Sequence, residues 1–415
     1  MENSKKTAAI SFIFITLLID ITGWGIVIPV VPKLIEELIN GDVSEASKYG
    51  GWLSFLYAFM QFLFAPILGN LSDKFGRRPV ILFALLGFSI NFFIQAWAPT
   101  IFWLFVGRIF SGITGASVTT ASAYIADISD DTNRSKNFGM IGAAFGLGFI
   151  IGPVVGGLLG QFGSRVPFYA AAVLCLVNFA YGYFILPESL GKEHRRAFEW
   201  KRANPVGSLL KIRKHPEILK LFVAWFLVYL ASHAVQTNWA YFTMYKFAWD
   251  EKTVGISLGV MGVFTVIVQG FLIRKIHPKL GSERSILYGI MFYSVGMLLF
   301  ALAQKEWMMY AILAIYCMGG IAGPALQSVI SSKVSPKEQG DLQGALTSVI
   351  SITSIIGPLL MTQIFYFFTH PEAKIKVLSL VLKPPFQFSG APFFLGFVLM
   401  SASAYFVYYV FHRKK

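Results

Sequence analysis

Charge and cysteine are what this 415-residue chain has least of. Charged residues make up only 13%, about half the ~25% of soluble domains. Acidic residues number 21 against 35 basic ones, a net charge of +14. With hydrophobic residues at 55% and aromatics at 16%, too little polar material remains to cover a water-facing surface. Two cysteines cannot staple a disulfide scaffold, and the apolar content excludes disorder. There is no Gly-x-x-x-x-Gly-Lys-Ser/Thr phosphate loop, so no ATP drive is expected. There is no Gly-x-Ser-x-Gly elbow and no His/Cys cluster at metal spacing, and the six histidines are scattered. Cys175 and Cys317 each lie in an apolar run and read as packing residues without a redox role. These absences point to an integral membrane protein that is not an enzyme and needs no cofactor or metal.

What is present is a series of long apolar runs. A spanning helix needs roughly 20 such residues to cross a hydrocarbon core about 30 Å thick. Twelve windows qualify: 8–31, 50–70, 79–98, 101–125, 137–160, 166–187, 218–245, 253–273, 284–303, 307–332, 342–369 and 390–412. The runs are continuous rather than alternating, which excludes a β-barrel. The first is expected to be a span and not a cleaved signal, because it is long, holds Asp20 and lacks a small-residue cleavage site.

An even count puts both termini on one side. With the N-terminus inside, inner segments hold 25 Lys and Arg, outer loops hold 9, and Arg108 lies within a helix. The positive-inside rule therefore predicts cytoplasmic termini. It also explains the basic net charge through inner-leaflet lipid, with no call for nucleic acid as a partner.

The polar, basic stretch 188–217 divides the windows six and six, predicting bundles over 1–187 and 218–415. The halves echo each other. Gly112-Ile113-Thr114-Gly115 returns as Gly320-Ile321-Ala322-Gly323 at an offset of 208, and Gly152-Pro153 returns as Gly357-Pro358 at 205. Gly69 and Gly270 close the second and eighth runs. Duplicated six-helix halves around a central cavity are a transporter architecture.

Between the second and third runs stands Gly69-Asn70-Leu71-Ser72-Asp73-Lys74-Phe75-Gly76-Arg77-Arg78-Pro79. Its glycines suit a tight turn, and its acid and arginines suit pairing near the membrane surface. The fourth run carries Gly107-Arg108-Ile109-Phe110-Ser111-Gly112-Ile113-Thr114-Gly115-Ala116. The fifth carries Gly139, Gly148, Gly152-Pro153 and Gly156-Gly157, a small-residue face for close helix approach with a proline bend. Together these resemble the major facilitator superfamily over nearly the whole chain, and the fifth-run motif resembles that of its antiporter branch.

Within that superfamily the chain is similar to the tetracycline-efflux group of drug/proton antiporters. The likeness rests on Leu17-Leu18-Ile19-Asp20 with Gly23 and Pro29, Tyr57-Ala58-Phe59-Met60-Gln61 with Ala65-Pro66, Ser111 to Ala116, and Phe145 to Gly148. The resemblance implies transport roles for Asp20 and Arg108, a cavity role for Gln61, and Asp127 as partner of the loop arginines. It also implies an acid in the third helix, where this chain has Asn91, and a histidine and an aspartate where it has about Thr265 and Phe292. These departures leave coupling to the N-terminal half.

At about 1.5 Å per residue, Asp20, Arg108 and Asn91 lie roughly 18–20 Å from the inner surface, near the midplane where transporter sites form. A charge there costs about 2.5–3.5 kcal/mol and is usually paired and functional. Asp20 is the expected proton acceptor, with a cationic substrate competing for it and Arg108 setting the balance. The plainer reading is a structural Asp20–Arg108 pair. His233 reads either as a packing histidine or as a second titrating group. Gln236, Asn238 and Trp239, beside Tyr241, are candidate contacts for a flat amphipathic substrate, whereas Gln269 reads as too near the inner end of its helix. Gly69, Asp73, Gly76, Arg77, Arg78 and Asp127 form an expected inner gate for rocker-switch movement.

The expectation is a monomeric twelve-helix exporter of the bacterial inner membrane, exchanging protons for an amphipathic small molecule. Its rivals are a transporter of an endogenous metabolite, lipid or siderophore on the same fold, and a receptor or scaffold that no longer transports. Residues 371–389 form an outer segment with the features of a lid.

Overall fold

The computed structural model describes residues 2–115, 117–130, 133–200, 216–335, 338–377 and 380–412. Part of the connector, at 201–215, and the basic tail at 413–415 lie outside the described residues. The architecture is helical: α1 (Glu2–Val27), α2 (Val31–Ile39), α3 (Val43–Phe75), α4 (Arg77–Trp97), α5 (Ile101–Thr114), α6 (Ser117–Ile128), α7 (Arg134–Gly160) and α8 (Val166–Ile185) precede the connector. After it come α9 (Pro216–Phe247), α10 (Glu251–Val266), α11 (Ile273–Leu302), α12 (Glu306–Met318), α13 (Ala322–Ser331), α14 (Gln339–Thr369) and α15 (Ala391–His412). Helices dominate because a backbone amide in hydrocarbon finds its partner only within its own segment.

Among the described residues eleven helical runs are long and apolar enough to cross a membrane. One of them, Glu251–Leu302, joins α10 and α11 through a π-helical turn at Ile267–Leu272 and has 52 residues. At about 1.5 Å per residue it is more than twice the length needed for a ~30 Å core. It breaks at Gly281, whose φ of 73° lies outside the helical range, so it holds the two windows 253–273 and 284–303. That makes twelve candidate crossings among the described residues.

Several helix ends depart from their apolar windows. The first ends at Val27 rather than 31, and the amphipathic α2 follows with Leu34 and Ile35 buried. Acidic caps set two starts. Asp42 accepts from the Glu45 amide at 2.8 Å before α3, and Asp250 from the Thr253 amide at 2.8 Å before α10. The Thr253 hydroxyl at 2.6 Å adds to this, and these bonds hold the Asp250 carboxyl below its usual range. In the 371–389 segment, Ile375–Val377 pairs antiparallel with Leu380–Leu382, in a register that places Lys376 opposite Val381.

By contact the chain divides into two compact units: residues 1–40, 56–205 and 250–259, and residues 41–55, 206–249 and 260–415. The start of α3, to Phe55, therefore belongs with the second unit, and the start of α10 with the first. In the first unit, Phe12, Ile13, Leu17 and Ile21 of α1 meet Ile81 and Leu85 of α4 and Ala121, Tyr124 and Ile125 of α6 in one buried cluster.

The antiporter-type glycines have two faces. A Cβ at Gly148 would stand 2.7 Å from Ile21 Cγ2, one at Gly152 would stand 2.7 Å from Gly25 Cα, and one at Gly156 would collide with the Ile26 carbonyl. That row seats α7 against α1. A Cβ at Gly157 would meet the Glu251 carbonyl at 2.5 Å, and one at Gly255 would strike the Pro153 carbonyl, so the other face seats α10. Backbones this close gain dispersion contact where water supplies no drive.

Gly152→Val is expected to lower the melting temperature of the purified protein by several degrees, through about 1–3 kcal/mol of overpacking. Gly139→Ala, with nothing within 4 Å of the added carbon, should leave the temperature unchanged or slightly raised. A thermal shift series on both variants checks this pair.

Candidate functional site: a membrane carboxyl and a charged loop

The fourth run is a single candidate span, Ile101–Ile128, but its helix is interrupted. α5 ends at Thr114, Gly115 takes φ −74° and ψ 50°, and α6 begins at Ser117. Thr114 has its side chain bonded back to the Phe110 carbonyl at 3.1 Å. Transporter sites favour such discontinuous helices, whose broken ends present backbone polar groups to a ligand. Ser117, the first residue past the break, donates from its hydroxyl to Asp20 Oδ2 at 2.6 Å. Asp20 is 8% exposed.

On the near side of the break, α3 packs against the glycines. A Cβ at Gly112 would lie 2.5 Å from Met60 Cβ and 2.7 Å from the Tyr57 carbonyl. Gln61 donates from Nε2 to the Gly115 carbonyl at 2.9 Å and to the Tyr57 hydroxyl at 3.1 Å. It thus gives a partner to a carbonyl at the interruption. Tyr57 stands within electrostatic reach of both Asp20 and Arg108. Asn91 is buried, accepts from Gln95 Nε2 at 2.8 Å, and lies 2.8 Å from where a Gly107 Cβ would be, one residue from Arg108. Asp20, Gln61, Asn91 and Arg108 thus belong to neighbouring helices of the first unit, together with Tyr57 and Ser117.

The charged loop forms a second constellation in the same unit. Arg77 donates to Asp73 Oδ1 at 2.6 Å, to Ser72 Oγ at 2.6 Å and to Asp127 Oδ2 at 3.1 Å. Arg78 points elsewhere, donating to the Tyr183 carbonyl with its guanidinium 5.8 Å from that ring. Its expected pairing with a carboxylate is corrected to a backbone and aromatic contact.

Gly76 makes the turn with φ 106°, and a Cβ there would strike the Glu188 carboxylate. Gly69 has no such role. α3 runs straight through it, and nothing lies within 4 Å of an added carbon, so the expectation of a tight turn at Gly69 is overturned.

Sequence reasoning missed how the connector closes on this loop. Glu188 accepts from the amides of Arg77, Ser189 and Leu190 at 2.8, 3.0 and 3.1 Å. Ser189 donates from Oγ to Asp127 Oδ2 at 2.9 Å, the Arg196 amide bonds the Asp73 carbonyl at 3.0 Å, and Asn70 donates to the Glu199 carbonyl at 2.7 Å. The available signal was Pro187-Glu188-Ser189 directly after the sixth run, an acid and a hydroxyl beside a basic loop.

The other candidates lie in the second unit. His233 is buried and its ring fills the space left by Gly357, the residue before Pro358. Gln236 is exposed and bonds Ser232 at 3.2 Å. Asn238 is 0% exposed, and Trp239 packs edge-on against Phe300 at 5.2 Å. Residues 236 and 238 point about 200° apart on one helix. Gln236 alone of the three faces outward, and Asn238 and Trp239 are corrected to core positions.

Gln269 sits against the second glycine motif. Its Nε2 lies 3.3 Å from where a Gly320 Cβ would be, in the π-helical turn facing the 3₁₀ turn Gly319–Ile321. It repeats Gln61 against the glycine motif, and its offset from Gln61 is the same 208 that relates those motifs. Thr265 bonds the Met261 carbonyl at 2.8 Å, and Phe292 is exposed.

A sequence model of the Major Facilitator Superfamily matches residues 13–358. The Tetracycline resistance protein, class C, of Escherichia coli is 41% identical over 361 residues, 87% of this chain and 90% of that protein. The class B protein of Escherichia coli is 36% identical over 365 residues, 88% and 89% of the two chains. In fold, the chain is similar to the human organic anion transporter MFSD10 (TETRAN), with a TM-score of 0.69 at 21% identity over 97% of this chain and 99% of that one.

Asp73→Ala removes one carboxylate from Arg77 and leaves the midmembrane cluster untouched. It is expected to cost the loop roughly 1 kcal/mol, the scale of a partly exposed ion pair. Transport should slow several-fold with substrate affinity retained. Parallel measurement of initial rate and equilibrium binding checks this, and lost binding at an unchanged rate would refute it.

Proposed function

Because the chain belongs to the Major Facilitator Superfamily, we propose that it exports an amphipathic drug-like molecule in exchange for protons, with Asp20 as the group both compete for. It is a transporter and not an enzyme, a multi-pass protein of the bacterial inner membrane acting on a small molecule and protons. The named relatives are tetracycline resistance proteins, and their identity over nearly nine-tenths of the chain supports drug export as the direction.

The observation that carries the coupling role is Asp20 itself: a carboxyl within the first candidate span, buried, and accepting the Ser117 hydroxyl at the break in the fourth span. A carboxylate there is costly unless something binds it. A proton or a cationic substrate group does so, and the two exclude each other. Alternating access then exposes the carboxyl to one side at a time. Tyr57 and Gln61 line the same break and offer the substrate a hydroxyl and an amide. Arg108 offsets the carboxylate's charge within the cluster. The Asp73–Arg77–Asp127 network with Arg78, Gly76 and Gly69 forms the inner gate, and Gly148, Gly152, Pro153, Gly156 and Gly157 hold α7 against α1 and α10 as a rigid seat for Asp20. His233 is read as a packing residue, the second unit's counterpart of Gly25, since each faces a Gly-Pro pair. The bundles 1–187 and 218–415, joined by 188–217, act as the moving bodies of a lipid-embedded monomer with both termini cytoplasmic. Asn91, with Thr265 and Phe292 at about the positions where the resemblance to the tetracycline pumps implies ionisable groups, favours as second reading an endogenous amphipathic metabolite, lipid or siderophore as substrate.

Reconstitution into liposomes with a pH-sensitive dye inside tests the proposal. Amphipathic drugs are expected to drive substrate-dependent proton movement that Asp20→Asn abolishes while the variant keeps its wild-type melting temperature. Proton-coupled transport surviving in Asp20→Asn would refute it.

A further inference from the structure

Three polar atoms near Asp20 are buried without a protein partner: Thr16 Oγ1 on α1, Thr120 Oγ1 on α6 and Asn178 Oδ1 on α8. Their residues are 3%, 2% and 0% exposed. Leaving a buried acceptor or hydroxyl unmatched costs about 1–3 kcal/mol, so three of them in one layer call for a purpose.

Their register is set by bonds already described. Asp20 and Ser117 are joined, and α1 and α6 run in opposite directions, being the first and fourth spans. Thr16 lies one turn before Asp20, and Thr120 lies one turn after Ser117, so both stand at the same level on the loop side of the carboxyl. Asn178 is tied to that level by donating from Nδ2 to the Thr16 carbonyl at 2.9 Å. Internal water is the small molecule that satisfies hydroxyls and an amide oxygen together, given two to four polar partners.

The stripe continues. On α6, Ser117, Thr120, Tyr124 and Asp127 recur at three- and four-residue spacing and share one face over about 15 Å. Tyr124 is fully buried and donates to the Pro187 carbonyl at 3.0 Å, one residue before Glu188 of the loop network. Asp127 is bonded by Arg77 and Ser189 of that network.

We propose that Thr16, Thr120 and Asn178 hold internal water as a relay station through which Asp20 exchanges its proton with the charged-loop side of the membrane. The inference rests on the reading of Asp20 as the exchanging carboxyl. In the step, the Asp20 O–H bond breaks and its proton passes to the held water. That water hands a proton on toward Tyr124 and the loop, and a carboxylate remains on Asp20. Thr16, Thr120 and Asn178 are positioning residues and hold no proton themselves. The other titratable groups around Asp20 are Cys175 of α8, whose Sγ lies 3.3 Å from where a Gly23 Cβ would be, Tyr57 of α3 and Arg108 of α5. None of these lies on the Thr16–Thr120 layer. The arrangement puts proton delivery and the gate on one helix, α6, so that opening the gate and wetting the path are one movement.

Infrared difference spectroscopy after a pH jump on the purified chain tests this without any substrate. The carboxylic C=O band lost in Asp20→Asn identifies the group. Wild type and Thr120→Ser are expected to gain this band rapidly, accompanied by a water band that shifts in oxygen-18 water. Thr120→Val and Asn178→Leu should gain it at least about a hundredfold more slowly, the lower end of what losing a positioned proton-transfer partner costs, at unchanged melting temperature. An unchanged rate in both variants would overturn the relay. So would wild-type spectra with no oxygen-18-sensitive band tied to Asp20 protonation, a result that needs no variant to fold. Lack of substrate-driven proton movement in liposomes would instead sink the exchange reading, with the infrared result judged on its own.

Discussion

The interior of a bilayer offers no hydrogen-bond partner and no counter-charge, and Asp20 has to live there. The structure meets that demand with one short bond from Ser117, available only because the fourth span breaks at Gly115 and restarts beside the carboxyl. The break in turn depends on Gln61, which takes up the Gly115 carbonyl, and on Gly112, which lets α3 approach closely enough for Gln61 to reach. A glycine-lined α7 then presses against α1 just past Asp20 and fixes the carboxyl in place. These contacts of the first unit together keep one ionisable group buried.

The second unit repeats the scaffold without the charge. Gly320 and its neighbours interrupt the tenth span with a 3₁₀ turn, Gln269 leans on them, and Gly357-Pro358 bends α14. Where Gly25 meets Gly152 in the first unit, His233 fills the gap left by Gly357 in the second. The two units thus share helix breaks and close approaches, which are backbone properties, while among the described residues the buried carboxyl lies in the first unit only. That asymmetry suits a device in which one unit handles the proton.

Much of this was legible in the chain because membranes impose simple rules. Span length, loop charge and Gly-x-x-x-Gly spacing are one-dimensional signals, and they located the helices, the loop and the buried Asp20. Features that depend on side-chain direction were not legible. Asn238 and Trp239 share a polar-aromatic run with Gln236, yet helical geometry turns them into the core. Gly69 fits a turn motif but lies in continuous helix, because the turn needs only Gly76. Glu188 and Ser189 were invisible as partners of Arg77 because a chain reversal, not a spacing, brings them there. Gln269 repeats Gln61 at the 208-residue offset of the glycine motifs, a match that depth along a single helix does not reveal.

Substrate affinity measured as a function of pH, on the wild type and on Asp20→Asn, tests the central claim most directly. If proton and substrate compete for Asp20, the dissociation constant rises about tenfold for each unit the pH falls once Asp20 is mostly protonated, since one proton must leave for each substrate bound. The variant should bind more weakly and show no slope. A flat profile in the wild type, or the same slope in the variant, would contradict the account.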